Sequence, residues 1–101
     1  MENKLMPNDS IIEKMEYLLN VTSDYTRLKI LYSLLDGEKC VSDIIILCDA
    51  SQSLISHQLH VLKKANLVSS RKSSTKVFYS LNDEHVKKLI EVVYEHVMES
   101  K

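Results

Sequence analysis

The sequence predicts a mainly α-helical winged helix-turn-helix fold with one β-hairpin, built as a homodimer, and three observations predict it. A short apolar helical stretch, Asp43 to Asp49, is followed after Ala50-Ser51 by a second one. Its apolar positions Leu54, Ile55, Leu59 and Leu62 lie under a polar face of Gln52, Ser53, Ser56, His57, Gln58, His60 and Lys63, the pattern of a helix that packs on one side only. Two β-prone runs, Leu67 to Lys72 and Lys76 to Leu81, flank the polar turn Ser73-Ser74-Thr75. The chain has 101 residues, 45% of them hydrophobic: enough for one compact domain and too few for two, so a larger core has to be shared with a second copy.

In chain order, the first ten residues read as a flexible N-terminus, and residues 11–101 as a single domain with helices for dimerisation at both ends. Ile11, Ile12, Met15, Leu18 and Leu19 recur at helical spacing, and Leu28, Ile30, Leu31, Leu34 and Leu35 continue the pattern after Asp24. Gly37 suits a left-handed cap at the end of that second helix. Lys39-Cys40-Val41 reads as a short extended piece, and Ser42 as the N-cap of a helix over Asp43 to Asp49. After the polar-faced helix and the hairpin, Asn82 or Asp83 can cap a last helix with Val86, Leu89, Ile90, Val93 and Val97 on its apolar stripe. The last few residues read as unstructured.

Several function classes are excluded by composition. No apolar run approaches the roughly 20 residues of a membrane span, and Met1 to Asn8 carries acid and proline, unlike a secretory signal, so a cytoplasmic location is expected. Cys40 and Cys48 form neither a CxxC pair nor a disulfide framework and are expected to be reduced. There is no glycine-rich phosphate loop and no nucleophile with an arranged base, so neither an enzyme nor a small organic substrate is expected. The formal net charge of −1 leaves room for a local basic surface.

Such a surface is legible. A helix fits the major groove, and Gln, Ser, His and Lys supply hydrogen bonds to base edges and phosphates. Gln52, Ser53, Ser56, His57 and Gln58 are therefore expected to read double-stranded operator DNA, a palindrome if the protein is a symmetric dimer. Lys63, Lys64, Arg71, Lys72 and Lys76 are expected to neutralise phosphates. An isolated polar helix face more often meets only solvent; the adjoining hairpin with its basic tip favours DNA, while His60 reads as a surface residue.

The last helix carries Asp83-x-His85 and, ten residues on, His96-x-x-Glu99. On a helical wheel His85, His96 and Glu99 fall within about 60° of one another, yet the two histidines are about 16 Å apart along the axis, too far to share an ion. Two such helices running antiparallel about a two-fold axis bring Asp83 and His85 of one chain opposite His96 and Glu99 of the other, twice per dimer. Two imidazoles and two carboxylates in a closed tetrahedral site suit Zn²⁺, with Co²⁺ able to substitute. The simpler alternatives are that Asp83 favours a helix N-terminus and that the histidines are interface residues.

Residues 24–81 resemble the ArsR/SmtB family of metal-sensing repressors, through SDYTRLKIL (23–31), EKCVSDI (38–44), SQSLISHQLHVLKKANLV (51–68) and RKSSTKVFYSL (71–81). The resemblance implies an operator-binding homodimer released by metal, and the pattern of Asp83, His85, His96 and Glu99 is similar to the terminal-helix site of its zinc-sensing members. It also implies left-handed turns at Asp49, Asn66 and Ser74, where the family usually has glycine. Cys40 matches a thiolate position of a second family site whose companion is here Ser42, which implies that this site is lost. Two other readings stay open: a thiol-responsive repressor using Cys40 and Cys48, and a constitutive winged-helix DNA-binding protein.

Overall fold

The computed structural model describes residues 5–99, so the part of the expected flexible ends that falls on residues 1–4 and 100–101 lies outside the described residues. Helix α1 (Asp9–Thr22) begins two residues before Ile11, because the Asn8 side chain accepts the Ile11 N–H at 3.0 Å and Asp9 puts an acid in the positive first turn. Asp9 and Ser10, expected to be unstructured, are thus helical. Helix α2 (Tyr25–Ser33) is capped by Asp24, which accepts the Arg27 N–H at 3.0 Å.

Gly37 is not the left-handed cap of α2. The helix closes at Leu34, and Gly37 sits beyond it in a separate turn at φ 136°, where any other residue would be strained. Strand β1 (Lys39–Cys40) pairs antiparallel with β3, Lys39 opposite Tyr79 and Cys40 opposite Phe78. That pairing brings Cys40 to the N-cap of α3 (Val41–Cys48), which therefore starts two residues before the expected Asp43. Ser42 is inside the helix, its hydroxyl 3.2 Å from the Cys40 sulfur.

Helix α4 (Gln52–Lys64) follows a tight turn, with Ser51 accepting the Leu54 N–H at 3.2 Å. Strands β2 (Val68–Ser73) and β3 (Lys76–Leu81) form the hairpin, in register from Val68 opposite Leu81 to Ser73 opposite Lys76, and the three-stranded sheet has the order β1-β3-β2. Helix α5 (Glu84–Glu99) completes the chain. Of its two candidate caps Asp83 serves, accepting the Val86 N–H at 3.1 Å, while Asn82 accepts the Ser69 hydroxyl at 2.7 Å.

The core gathers one face of each central helix. Ile30 and Leu31 of α2, Ile44 of α3, and Ile55, Leu59 and Leu62 of α4 are buried together with Leu67, Val68 and the α5 residues Val86 and Ile90. The outer helices are different. Met15 and Leu19 of α1 are 50% and 53% exposed, and Val93 and Val97 of α5 are 47% and 57% exposed. The α1 stripe and the outer half of the α5 stripe, legible in the sequence as helical period, are thus left exposed by their own chain, while Val86 and Ile90 hold the start of α5 to the core.

Asp49, Asn66 and Ser74 all adopt left-handed backbone, at φ 53°, 61° and 60°, as the resemblance implied. Asp and Asn tolerate this conformation through local hydrogen bonding, whereas serine carries more of the clash between Cβ and carbonyl. Ser74→Gly is therefore expected to stabilise the protein by about 0.5–1 kcal/mol, the relief of strain less the added freedom of the unfolded chain. The check is a thermal unfolding midpoint above that of the parent; an equal or lower midpoint would show that the strain at Ser74 does not exceed the entropy cost of the added glycine.

Candidate nucleic-acid interface and metal centre

Helix α4 owes its placement to Ile55, Leu59 and Leu62, which seat it in the core and turn the opposite face outward. Gln52, Ser53, Ser56 and His57 are exposed on that face, as are His60, Lys63 and Lys64. The wing, β2 and β3, stands beside them. A groove lined by Gln52 and Ser56 of α4, Cys40 to Ser42 and Ile45, and Thr75 to Val77 of the wing joins the two. Lys72 and Lys76 are exposed near the hairpin tip, and the Lys63 ammonium donates to the Ser70 hydroxyl at 2.7 Å, linking the end of α4 to β2.

Two of the expected contacts are placed differently. Gln58 is buried, 9% exposed, and its amide oxygen accepts a hydrogen bond from Arg27 Nη1 at 2.7 Å, so it does not face outward with the other readers. The signal was in the spacing: three residues after Ile55 and four before Leu62, Gln58 shares their side of the helix. Arg71 is exposed but engaged, its Nε and Nη2 donating to the two carboxylate oxygens of Glu38 at 2.7 and 2.8 Å while the guanidinium lies 4.9 Å from the Phe78 ring centre. The Arg71 guanidinium beside it holds the Glu38 carboxyl below the usual carboxylate range. Much of the field Arg71 would offer a phosphate is thereby spent on Glu38, and neither Arg27 nor Glu38 was predicted from sequence, because both pairings span about thirty positions of chain.

Both cysteines are buried and outside any disulfide. Burial pushes the Cys48 thiol up, against smaller opposing effects of the Lys29 charge and a hydrogen bond with Ser33. Cys40 has the Ser42 hydroxyl 3.2 Å from its sulfur.

At the start of α5, Asp83 occupies the non-helical cap position and its Oδ1 lies 3.9 Å from His85 Nδ1. A pair two apart cannot share one side of a regular helix, so it is the cap that brings the carboxylate round to the imidazole. The His85 side chain is 97% exposed. His96 and Glu99, three apart and both exposed, share a side of the last turn at the other end. Among the described residues no group of three or more His, Cys, Asp and Glu could hold a metal ion within the chain. What each chain offers is two half-sets of nitrogen and oxygen donors, one at either end of α5. Between the ends, Tyr94 meets Tyr32 of α2 with ring centres 5.2 Å apart.

The family model of the bacterial regulatory proteins of the arsR family matches residues 24–70, from the cap of α2 into the wing. A homologue of the cadmium resistance transcriptional regulatory protein CadC from Staphylococcus aureus is 45% identical over 78 residues, 76% of this chain, and the chain spans 64% of that relative's length. A homologue of the transcriptional repressor SmtB from Synechocystis is 35% identical over 88 residues, covering 87% of this chain and 67% of the relative. The chain belongs to the ArsR family. The fold of this ArsR protein is the winged helix-turn-helix: it superposes with a TM-score of 0.83 and 24% identity on the homodimeric winged helix-turn-helix DNA-binding domain of a possible ArsR-family regulator from Mycobacterium bovis, covering 95% of this chain and 92% of that one. Relatives and fold alike are those of transcriptional regulators rather than enzymes.

Proposed function

We propose that this ArsR-family protein is a cytoplasmic, metal-responsive transcriptional repressor that binds palindromic operator DNA as a homodimer and is released when zinc binds between the two α5 helices. The observation that carries the reading is the arrangement on α5. Asp83 and His85 are juxtaposed at its start, His96 and Glu99 share a side of its end, and an apolar stripe left partly uncovered, at Val92 and Val93, runs between them. A second α5 laid antiparallel on that stripe removes apolar surface from water and pairs each half-set of donors with the other kind.

On the DNA side, Gln52, Ser53, Ser56 and His57 of α4 reach base edges, and Lys63, Lys72 and Lys76 reach phosphates. Arg71 does so only on leaving Glu38. Each half-site takes one α4, the two about 34 Å apart along the duplex. The partner is double-stranded DNA, and neither a membrane nor a small organic substrate enters the reading; among the described residues no helix is long and apolar enough to cross a membrane.

The donor set fits zinc: two imidazole nitrogens and two carboxylate oxygens fill a tetrahedral shell, two such shells per dimer, and Co²⁺ could replace Zn²⁺ there. When bound, zinc supplies a closed coordination link between helices. Asp83 orients His85 from the cap position, while His96 and Glu99 close the other side. The names of the relatives support a metal-responsive reading: one is a cadmium-resistance regulator and another is named for SmtB. Because binding free energies are reciprocal, DNA weakens zinc binding by the factor by which zinc weakens DNA binding.

The test is titration of the protein bound to DNA from upstream of its own gene. Zn²⁺ and Co²⁺ are expected to lower the affinity by about 5- to 150-fold, the usual range of coupling between two sites, and Mg²⁺ to leave it unchanged. Release by oxidant with no response to zinc would support the thiol reading instead, and binding indifferent to both would leave a constitutive DNA-binding protein.

A further inference from the structure

The inference rests on the proposed reading of α4 as the DNA-reading helix, and concerns how that helix is held. We propose that Arg27 is a positioning residue for operator recognition: its guanidinium fixes the rotation of α4 through Gln58 and ties it to the end of α1, so that movement of α1 reaches the DNA-reading side chains.

The geometry is specific. Arg27 stands in the first turn of α2, and its Nε donates to the Val21 carbonyl oxygen at 2.6 Å while its Nη1 donates to Gln58 Oε1 at 2.7 Å. Val21 lies in the last turn of α1, where helix carbonyls lack partners within the helix. The neighbouring carbonyls of that turn are met locally, Leu19 by the Thr22 hydroxyl and Asn20 by Ser23, but Val21 is met from another helix. Both acceptor residues are buried, Val21 at 7% and Gln58 at 9% exposure, and Arg27 is half-buried, so losing the donor leaves two acceptors with little access to water.

A guanidinium is planar and rigid, so two donors on it fix two directions at once. One group thus sets the end of α1 against α4 across three helices. Gln58 directly follows His57 and lies two residues from Ser56, both exposed on the reading face. A helix with its side chains has a radius of about 5–6 Å, so a rotation of about 10° moves a reading atom by about 1 Å. That exceeds the width of the hydrogen-bond distance range, about 0.5 Å, and is enough to lose base contacts. Since α1 carries an uncovered apolar stripe, and a partner chain is its expected cover, a change in the dimer moves α1 and is handed on at Val21.

The experiment compares wild type, R27M and Q58E for affinity to the same upstream DNA, at a temperature where circular dichroism shows each folded, over a series of salt concentrations. R27M is expected to bind about tenfold or more weakly, the scale of losing hydrogen bonds to a charged donor, with an unchanged salt slope. Q58E keeps an acceptor for Arg27 and is expected to bind within about threefold of wild type, a difference smaller than one lost hydrogen bond. If R27M does not fold, R27K takes its place, since a single ammonium cannot span both acceptors, and the same loss is expected.

Equal affinity of the folded arginine variant and wild type would overturn the proposal and leave Arg27 as a stabilising brace. A salt slope smaller by about one unit would overturn it differently, by showing that Arg27 contacts a phosphate. Loss of binding in Q58E alone would return Gln58 to the bases and also overturn it. Failure of wild type itself to bind would count against the proposed function, which separates that failure from this one.

Discussion

A one-to-one mixture of His85→Ala and His96→Ala chains is expected to regain one zinc site per heterodimer that neither variant has alone. Each proposed site takes Asp83 and His85 from one chain and His96 and Glu99 from the other, because no group of three donors comes together within the described chain. In a heterodimer both defects fall in the same site, and the second site keeps all its ligands. Each variant by itself damages both sites and is expected to lose about 100-fold or more in zinc affinity, given that even outer-shell partners of ligands are worth 10- to 100-fold. Metal-free DNA binding should stay at the wild-type level in all three samples, as the substituted side chains are exposed on α5 and belong to neither α4 nor the wing. Differently tagged chains allow the heterodimer to be purified and its zinc counted with a competing chelator. A heterodimer no better than its parents would mean that the ligands are not shared across a two-fold axis.

Leu62→Ala is expected to cost about 3 kcal/mol, within the range of 2–5 kcal/mol for truncating a buried leucine. Leu62 is fully buried on the inner face of α4, in a cluster with Ile30, Ile44 and Leu67, so the lost methyl groups leave a void that the rigid helices cannot close. Set against a total stability of about 5–15 kcal/mol for a domain, the loss removes a large part of the margin. Urea unfolding at one fixed protein concentration checks it: the midpoint should fall with little change in slope. Leu54→Ala, at a residue 39% exposed on the same helix, is the control and is expected to cost less than about 1 kcal/mol. If the two variants unfold alike, α4 is not held by its inner face.

Periodicity made the helices legible, because burial repeats every three or four residues and survives without any knowledge of the partner surface. The hairpin was legible from β-prone runs around a polar turn, and the three left-handed turns through the resemblance. Helix boundaries were less so. Ser42 has the better side chain for a cap, but Cys40 takes the position because its backbone is already held extended by Phe78, a partner thirty-eight residues on. Similarly, Asn8 starts α1 inside a stretch that read as unstructured, because its side chain caps the helix ahead of the first periodic residue, Ile11.

At the candidate site the same division holds. Exposed readers and wing lysines follow from helical facing and local charge, whereas Gln58 and Arg71 were assigned to DNA without their partners Arg27 and Glu38. A single strand of text shows a side chain's chemistry but not what has folded next to it, and a polar group is only as available as its neighbours leave it. The cap of α5 was legible to within one residue, Asn82 or Asp83, and the structure assigns it to Asp83 because Asn82 is engaged with Ser69.

The seclusion of Cys48, 1% exposed and with its thiol pushed up by burial, sets the tempo of its chemistry. Alkylating or oxidising reagents reach that sulfur only when α3 lifts from its neighbours, so the labelling rate counts spontaneous openings of the native state. The residue is thus a built-in clock for breathing of the molecule's centre, one that runs faster in any variant whose interior has been loosened.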